Sequence, residues 1–310
     1  MNRRYWMIPA FLAMAFVSSL TTPAQAEEGP NLGRVSLSIG SDFVTGYYFR
    51  GINQEPNGVI WQPSVEVGFL VSEGDGPVSD LSLVGGIWSS MHDESTGSAS
   101  GPGIWYEADI YAGVSFSLTD NLGATALYTA YTSPNGAFSS VNEVSVELAY
   151  DDSGFWAGRD AISLAGFEGF QPYVVIAFEI DDQADGGNGD AAGFNEGVYL
   201  ECGIAPSTTL VDSETSPVTL TVPVVLGVSL DDYYEFTDAA GAQQDDDFGY
   251  LKLGVTLSMP IAGISSDYGA WEAYAGVDFL FLGDSTRLPN SGRDDSGFEL
   301  IGSFGIAMNY

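Results

Sequence analysis

Positive charge is nearly absent from this chain. Of 310 residues only 8 are lysine or arginine, against 42 aspartate or glutamate, for a formal charge of −34. That balance argues against nucleic acid as a partner. Lys252 is the only lysine, His92 the only histidine and Cys202 the only cysteine. A single cysteine excludes an intramolecular disulfide framework. Long apolar runs are missing too: the one near the N-terminus, Ile8 to Leu20, is about thirteen residues, short of the roughly 20 that cross a bilayer as a helix.

What the chain has is glycine, aromatics and short alternating segments. There are 39 glycines, with 18 phenylalanines, 16 tyrosines and 6 tryptophans, and the mean hydropathy is close to neutral at +0.08. Neither a disordered acidic tail nor an ordinary soluble surface has this composition. The N-terminus reads as an export signal: Arg3 and Arg4, the apolar run, then Pro23-Ala24-Gln25-Ala26 as a small-x-small cleavage site. The expected organisation is a short signal-peptide helix over 1–26 and one domain over 27–310. Removing the signal takes away two arginines and no acid, so the formal charge of the remainder falls by two units to −36.

Twelve segments alternate apolar and polar side chains between turn residues. The first runs from Arg34 to Phe49. The others lie near Val59–Val71, Asp80–Ser90, Ile104–Leu118, Leu122–Tyr131, Asn142–Tyr150, Gln171–Ile180, Val198–Ile204, Val218–Leu230, Leu251–Met259, Trp271–Phe281 and Phe298–Tyr310. Most reach the 9–11 residues that cross a bilayer at a tilt, longer than the usual globular strand. In the last segment Phe298, Leu300, Gly302, Phe304, Ile306, Met308 and Tyr310 share one face. A terminal aromatic preceded by apolar residues at alternate positions is the form of the outer-membrane assembly signal, carried here by Phe304, Ile306, Met308 and Tyr310. Barrel assembly machinery and periplasmic chaperones are therefore expected partners during biogenesis.

Alternation alone does not separate a soluble sandwich from a membrane barrel, since either has one apolar and one polar face. Strand length, the terminal aromatic and the export signal select the barrel: a closed antiparallel transmembrane sheet of about 12 strands, all-β. In lipid the sheet must have no edge, so the terminal strand is expected to pair with the first. The polar face then lines a lumen. Glu66, Glu107, Asp109, Glu143, Glu147, Glu179, Glu201, Lys252, Glu272, Asp278 and Glu299 all fall on it. An acidic wall concentrates cations and repels anions. Tyr47-Tyr48-Phe49, Trp105-Tyr106, Tyr233-Tyr234 and Trp271 are expected at strand ends as aromatic girdles.

The connections 89–103, 181–193, 231–247 and 283–296 are polar and suit outer loops, whereas 151–170 is long and apolar. Asp181, Asp182, Asp185 and Asp190, then Asp231, Asp232 and Glu235, then Asp245 to Asp247 offer hard oxygen ligands without the spacing of an EF-hand. Divalent cations are a possible partner of these loops, shared with lipopolysaccharide and membrane lipid, but no dedicated metal site or cofactor is expected. A hydrolase would need His92 as base beside a serine or paired aspartates. Serines and acids are commonplace in polar loops, and no enzyme is expected.

The first segment ends in Tyr47-Tyr48-Phe49-Arg50-Gly51-Ile52-Asn53-Gln54, with Ile60-Trp61-Gln62-Pro63 opening the second. This resembles the N-terminal hairpin of the TorF family of porins, in which a strand closes with an aromatic-x-Phe-Arg-Gly-Ile-Ser-Gln-like run. Tyr48, Phe49, Arg50, Gly51, Ile52 and Gln54 carry the likeness; Asn53 departs from it, as does a terminal Tyr in place of Phe or Trp. The resemblance implies an outer-membrane barrel without catalytic residues. Arg50-Gly51 reads either as a structural turn or as an anchor pairing with an acidic wall. Together these readings give a passive channel for small polar or cationic solutes, the alternative being a non-conducting surface barrel serving structure, adhesion or cation binding by its loops.

Overall fold

The structure is a computed structural model that describes residues 33–74, 78–93, 96, 103–157, 166–167, 169–184, 195–237, 242–287 and 296–310. The export segment expected at 1–26 lies outside these residues, as do Asp185 and Asp190.

The described residues form eighteen strands. Those of the wall are β1 (Val35–Val44), β4 (Ile60–Ser72), β5 (Ser79–His92), β6 (Trp105–Thr119), β7 (Leu122–Thr132), β8 (Val141–Tyr150), β9 (Tyr173–Asp181), β10 (Val198–Ile204), β11 (Ser207–Val211), β12 (Val218–Thr221), β13 (Val224–Asp231), β16 (Phe248–Pro260), β17 (Ala270–Leu282) and β18 (Phe298–Asn309). Two pairs of these are single staves interrupted by proline, which has no N–H to donate to a ladder. Pro206 separates β10 from β11, and Pro223 separates β12 from β13. Counting each pair once gives twelve staves, all antiparallel neighbours.

The sheet closes on itself. β1 pairs with β18 from Ser38↔Asn309 to Val44↔Ser303, and Tyr310 and Leu37 exchange both backbone bonds. The ring continues through β18–β17 and β17–β16 to β13, so no edge strand remains.

Alternation sorts the side chains by face. Phe69, Val65, Leu83, Ile87, Ile110, Val146, Val255, Leu257, Leu300 and Phe304 are exposed, forming an apolar belt on the outside. The residues between them are buried within the ring. No helix among the described residues is long and apolar enough to cross a membrane. Strands can do so only as a closed barrel, because lipid offers nothing to an unpaired backbone group.

Two departures from simple alternation shape the interior. The first wall strand stops at Val44, not at Phe49: Tyr47–Phe49 (β2) and Ile52–Glu55 (β3) form a separate hairpin that turns into the barrel. On β6 the register shifts between Ser90↔Glu107 and Met91↔Trp105, making Tyr106 an extra, bulged residue. Trp105 is thereby exposed and Tyr106 buried, the reverse of strict alternation. A small outer hairpin, β14 (Glu235–Thr237) with β15 (Gln243–Asp245), stands apart from the wall.

Candidate functional site: a hairpin in the lumen and the wall around it

Arg50 and Gly51 make the two-residue turn between β2 and β3, both with positive φ (49° and 84°). That is the turn geometry whose twist matches a tight hairpin, and glycine adopts it freely whereas arginine does not. Arginine is held there by its head group. Its Nη1 and Nη2 donate to Glu143 Oε2 and Oε1 at 2.6 and 2.9 Å, and Nη1 also donates to the Tyr233 hydroxyl at 2.8 Å. The guanidinium lies over the rings of Tyr199, Phe49 and Tyr233 at 4.1, 5.0 and 5.3 Å. The Tyr234 hydroxyl donates to the Arg50 carbonyl at 2.9 Å. Both readings of the Arg50-Gly51 pair hold at once: it is a turn and an anchor.

The hairpin reaches opposite walls. Tyr47 packs against Trp88, His92 and Tyr106, and Phe49 against Tyr131, while Tyr48 and Ile52 join Tyr199, Tyr233, Tyr234 and Tyr250. Tyr106 donates to Gln54, whose amide in turn donates to the Ile52 carbonyl at 3.3 Å. These aromatics fill the lumen at the loop end of the barrel. Tyr47, Tyr48, Phe49, Tyr233 and Tyr234, expected in outer girdles, are interior packing instead, and the reason is the hairpin's inward turn. The long apolar segment 151–170 is tied down at its described ends. There the Asp152 carboxylate accepts from Trp156 Nε1 and the Phe170 and Gln171 amides, beside the 119–121 turn.

The eleven polar residues read from the alternation all lie on the face opposite the apolar belt. Glu66, Glu107, Asp109, Glu143, Glu179, Glu201 and Lys252 are buried, and Glu147, Glu272, Asp278 and Glu299 half-buried. Most are engaged rather than free. Glu179 accepts from the Ala184 and Gly197 amides at 2.7 and 2.8 Å. Glu201 accepts from the hydroxyls of Tyr173, Tyr199 and Tyr250 at 2.8, 2.7 and 2.8 Å. Among the described residues Glu107 Oε2 and Asp109 Oδ1 have no hydrogen-bond partner.

One arrangement recurs three times. A carboxylate, a glycine and a tyrosine sit directly opposite one another on three consecutive staves: Glu66, Gly86 and Tyr111; Glu201, Gly227 and Tyr250; Asp42, Gly305 and Tyr274. In each the tyrosine lies across the glycine and its hydroxyl donates to the carboxylate beyond. A Cβ on Gly86 would stand 2.3 Å from the Tyr111 hydroxyl, one on Gly227 2.3 Å from Tyr250 Cε1, and one on Gly305 2.5 Å from the Tyr274 hydroxyl. Only glycine leaves the ring room to cross.

No protein-family model and no curated protein sequence matches this chain. Similar solved structures include the NanC porin (10% identity, 88% of this chain and 98% of that one, TM-score 0.38). An outer-membrane channel from Pseudomonas putida F1 is 8% identical over 89% of this chain and 95% of its own, with TM-score 0.42. The transport unit of the autotransporter AIDA-I from Escherichia coli is 14% identical over 94% of each chain, with TM-score 0.37. The decisive observation is in this chain itself, a closed sheet with an apolar outside and a polar inside.

It is a closed β-barrel of the membrane-spanning kind.

Within this barrel His92 is buried and hydrogen-bonded through both ring nitrogens. His92 Nε2 lies 3.0 Å from Ser90 Oγ and Nδ1 2.8 Å from Thr96 Oγ1, which donates to Glu55. A serine beside a histidine is the start of a nucleophile–base pair. Ser90 is 0% exposed, and its hydroxyl also accepts from the Gln62 amide. Among the described residues no three histidine, cysteine, aspartate or glutamate side chains gather to hold a metal ion.

A cavity of about 90 Å³ remains beside the hairpin. It is lined by the hairpin at Tyr47, Tyr48, Arg50 and Gly51, and by the β12, β16, β17, β18 and β1 walls, including Thr221, Lys252, Asp278, Tyr274, Glu272 and Asp42. Strand-by-strand alternation reads the wall residues but not the cavity, because the hairpin that bounds it looks in sequence like a continuation of the first strand.

Proposed function

We propose that the barrel is a porin-like channel with a constricted bore, passing small polar or cationic solutes by diffusion. The observation that carries this reading is the cavity left beside the inward hairpin, whose wall carries Asp42, Glu272 and Asp278 against Lys252 and the Glu143-paired Arg50. Twelve staves enclose more space than the eight-stranded barrels that side chains fill, and less than the sixteen of open porins. The inward hairpin narrows that space further. The carboxylate excess favours cations through the electrostatic term alone. The run from Tyr48 to Gln54 that resembles the TorF porins builds the constriction, which gives that likeness a structural role.

The reading extends to the surroundings of the barrel. Residues 1–26 are the export signal, 27–310 the barrel, and Phe304, Ile306, Met308 and Tyr310 the signal for barrel assembly machinery and its chaperones. Phe304, Ile306 and Tyr310 are exposed, and Met308 is buried against Gly269. Lipid and lipopolysaccharide surround the belt, with divalent ions bridging the acidic loops. No cofactor and no catalytic step is proposed.

Planar-bilayer recording of the refolded chain under a salt gradient tests the channel. A reversal potential of cation-selective sign is the expected result; anion selectivity or absence of conductance overturns it. The second reading, a non-conducting surface barrel, draws on the aromatic filling of the loop end and on the engaged carboxylates, and a sealed bilayer would establish it.

A further inference from the structure

We infer that the cavity beside the hairpin is a binding site for a small zwitterion of the amino-acid class, with Lys252 receiving the carboxylate and Asp278 the ammonium. The inference rests on the channel reading for how the solute arrives, but not for how it is held.

Lys252 is the only lysine of the chain and is 9% exposed, on the interior face of β16 between Val225 and Leu280. Its ammonium makes no hydrogen bond or ion pair among the described residues and borders the cavity. The stem is buried in the wall while the head group stays open to the cavity, where an ammonium without a protein partner is placed to meet a charged solute. The carboxylate next to it is Asp278 on β17. Asp278 stands opposite Gly254, so it is the diagonal neighbour of Lys252, roughly 7–8 Å away along the ladder. A lysine stem can span that gap, yet the two charges do not meet. Asp278 instead lies over the bare Cα of Gly254, where a Cβ would be 2.6 Å from its Oδ1. Two opposite charges stand beside one cavity without joining.

The rest of the lining repeats the theme of unfilled polarity. Asp42 is 3% exposed and also borders the cavity. Tyr274 satisfies its Oδ1, and its Oδ2 has no partner. It lies about two pleats nearer the terminal end of the barrel, an acceptor for a second donor of the solute or for the next ammonium in line. The other cation in the lining, Arg50, is charge-paired with Glu143 through both Nη groups, so Lys252 is the lining cation whose charge is left for an anion. A simple cation would leave Lys252 without a counter-charge, and a simple anion would be repelled by Asp278, Asp42 and Glu272. A solute carrying both charges on a short frame meets both. The volume of about 90 Å³ accommodates several waters or one such molecule.

The test is calorimetric titration of the full refolded chain in detergent with glycine, L-serine and L-lysine, each compared with its methyl ester and its N-acetyl derivative. At least one free amino acid is expected to bind tenfold or more tighter than its own ester and its own acetyl form. Lys252→Met should erase the preference over the ester, and Asp278→Asn the preference over the acetyl form, both variants keeping the heat-dependent gel migration of a folded barrel. Binding by none of the three amino acids, or equal binding of the derivatives, overturns the site. Titration in detergent needs no flux, so a barrel that conducts but does not discriminate loses only the site. One that discriminates but does not conduct keeps the site and loses the channel.

Discussion

Arg50 and Glu143 meet inside the barrel as a two-pronged ion pair, both side chains almost wholly buried, and the pair joins the tip of the β2–β3 hairpin to β8. Everything that narrows the bore depends on that hairpin staying inside.

Arg50→Met should therefore release the tip and leave Glu143 as an uncompensated buried charge, a loss of about 3–5 kcal/mol by the usual cost of breaking such a pair. The urea midpoint should fall and single-channel conductance rise severalfold. Combining Arg50→Met with Glu143→Gln removes the stranded charge, and the midpoint should recover in part while conductance stays high. Unchanged conductance in both variants would show that the hairpin does not set the bore.

Glu201 gathers three phenols, from Tyr173 on one oxygen and Tyr199 and Tyr250 on the other. Tyr250→Phe removes one charge-assisted bond, worth about 1.5–3 kcal/mol. Glu201→Leu orphans three donors at once. Equilibrium unfolding should place Glu201→Leu well below every single Tyr→Phe variant; equal losses would mean that the phenols find water instead.

Gly305→Ala should expel the Tyr274 ring from its path to Asp42, since the new Cβ falls 2.5 Å from the hydroxyl and 2.7 Å from Asp42 Oδ1. A loss of about 1–3 kcal/mol is the usual result of forcing extra volume into a packed site. Adding Tyr274→Phe to that variant should cost almost nothing more, because the hydroxyl has already lost its partner. Additive losses in the double-mutant cycle would contradict the arrangement.

The outer hairpin sets Glu235 directly opposite Asp245. Burial raises the pKa of both carboxyls, with Asp232 adding to each through its charge, while the Asn195 amide partly offsets this at Glu235. A raised carboxyl favours the folded hairpin while protonated, so the contribution is full below the ordinary carboxylate range, about 4, and is lost as pH climbs through the raised values. Amide exchange of 235–245, corrected for intrinsic rates, should show greater protection at the acid end. Glu235→Gln should flatten the dependence.

The twelve staves are legible in the sequence because alternation is a local signal and the lipid belt enforces it over ten or more residues. Interior placement of Glu66 or Glu201 follows from the same count. What the count cannot reach is anything that depends on which stave lies beside which. Asp42 and Tyr274 are 232 positions apart and touch only because the ring closes; Glu66 and Tyr111 are separated by 45. The glycine that lets each pair meet sits on a third strand and looks like any other glycine. The bulge at Tyr106 changes phase in mid-pattern, so Trp105 and Tyr106 read on the wrong faces while Glu107, Asp109 and Ile110 beyond it read correctly. Tyr47–Phe49 has every local mark of a strand and is one, but the chain leaves the wall at Thr45–Gly46, and the Arg50–Glu143 pair holds the hairpin inside.

The unit of Asp42, Gly305 and Tyr274 has a consequence for how the ring stays shut. Every barrel has one line along which nothing but hairpinless pairing joins the beginning of the chain to its end, and here that line runs between β1 and β18. Tyr274, one stave back from the end, reaches over the final strand to grip the first. The seam is thus latched from inside by a bond that neither of the two meeting strands forms alone, and the barrel can complete that latch only after its last stave is in place.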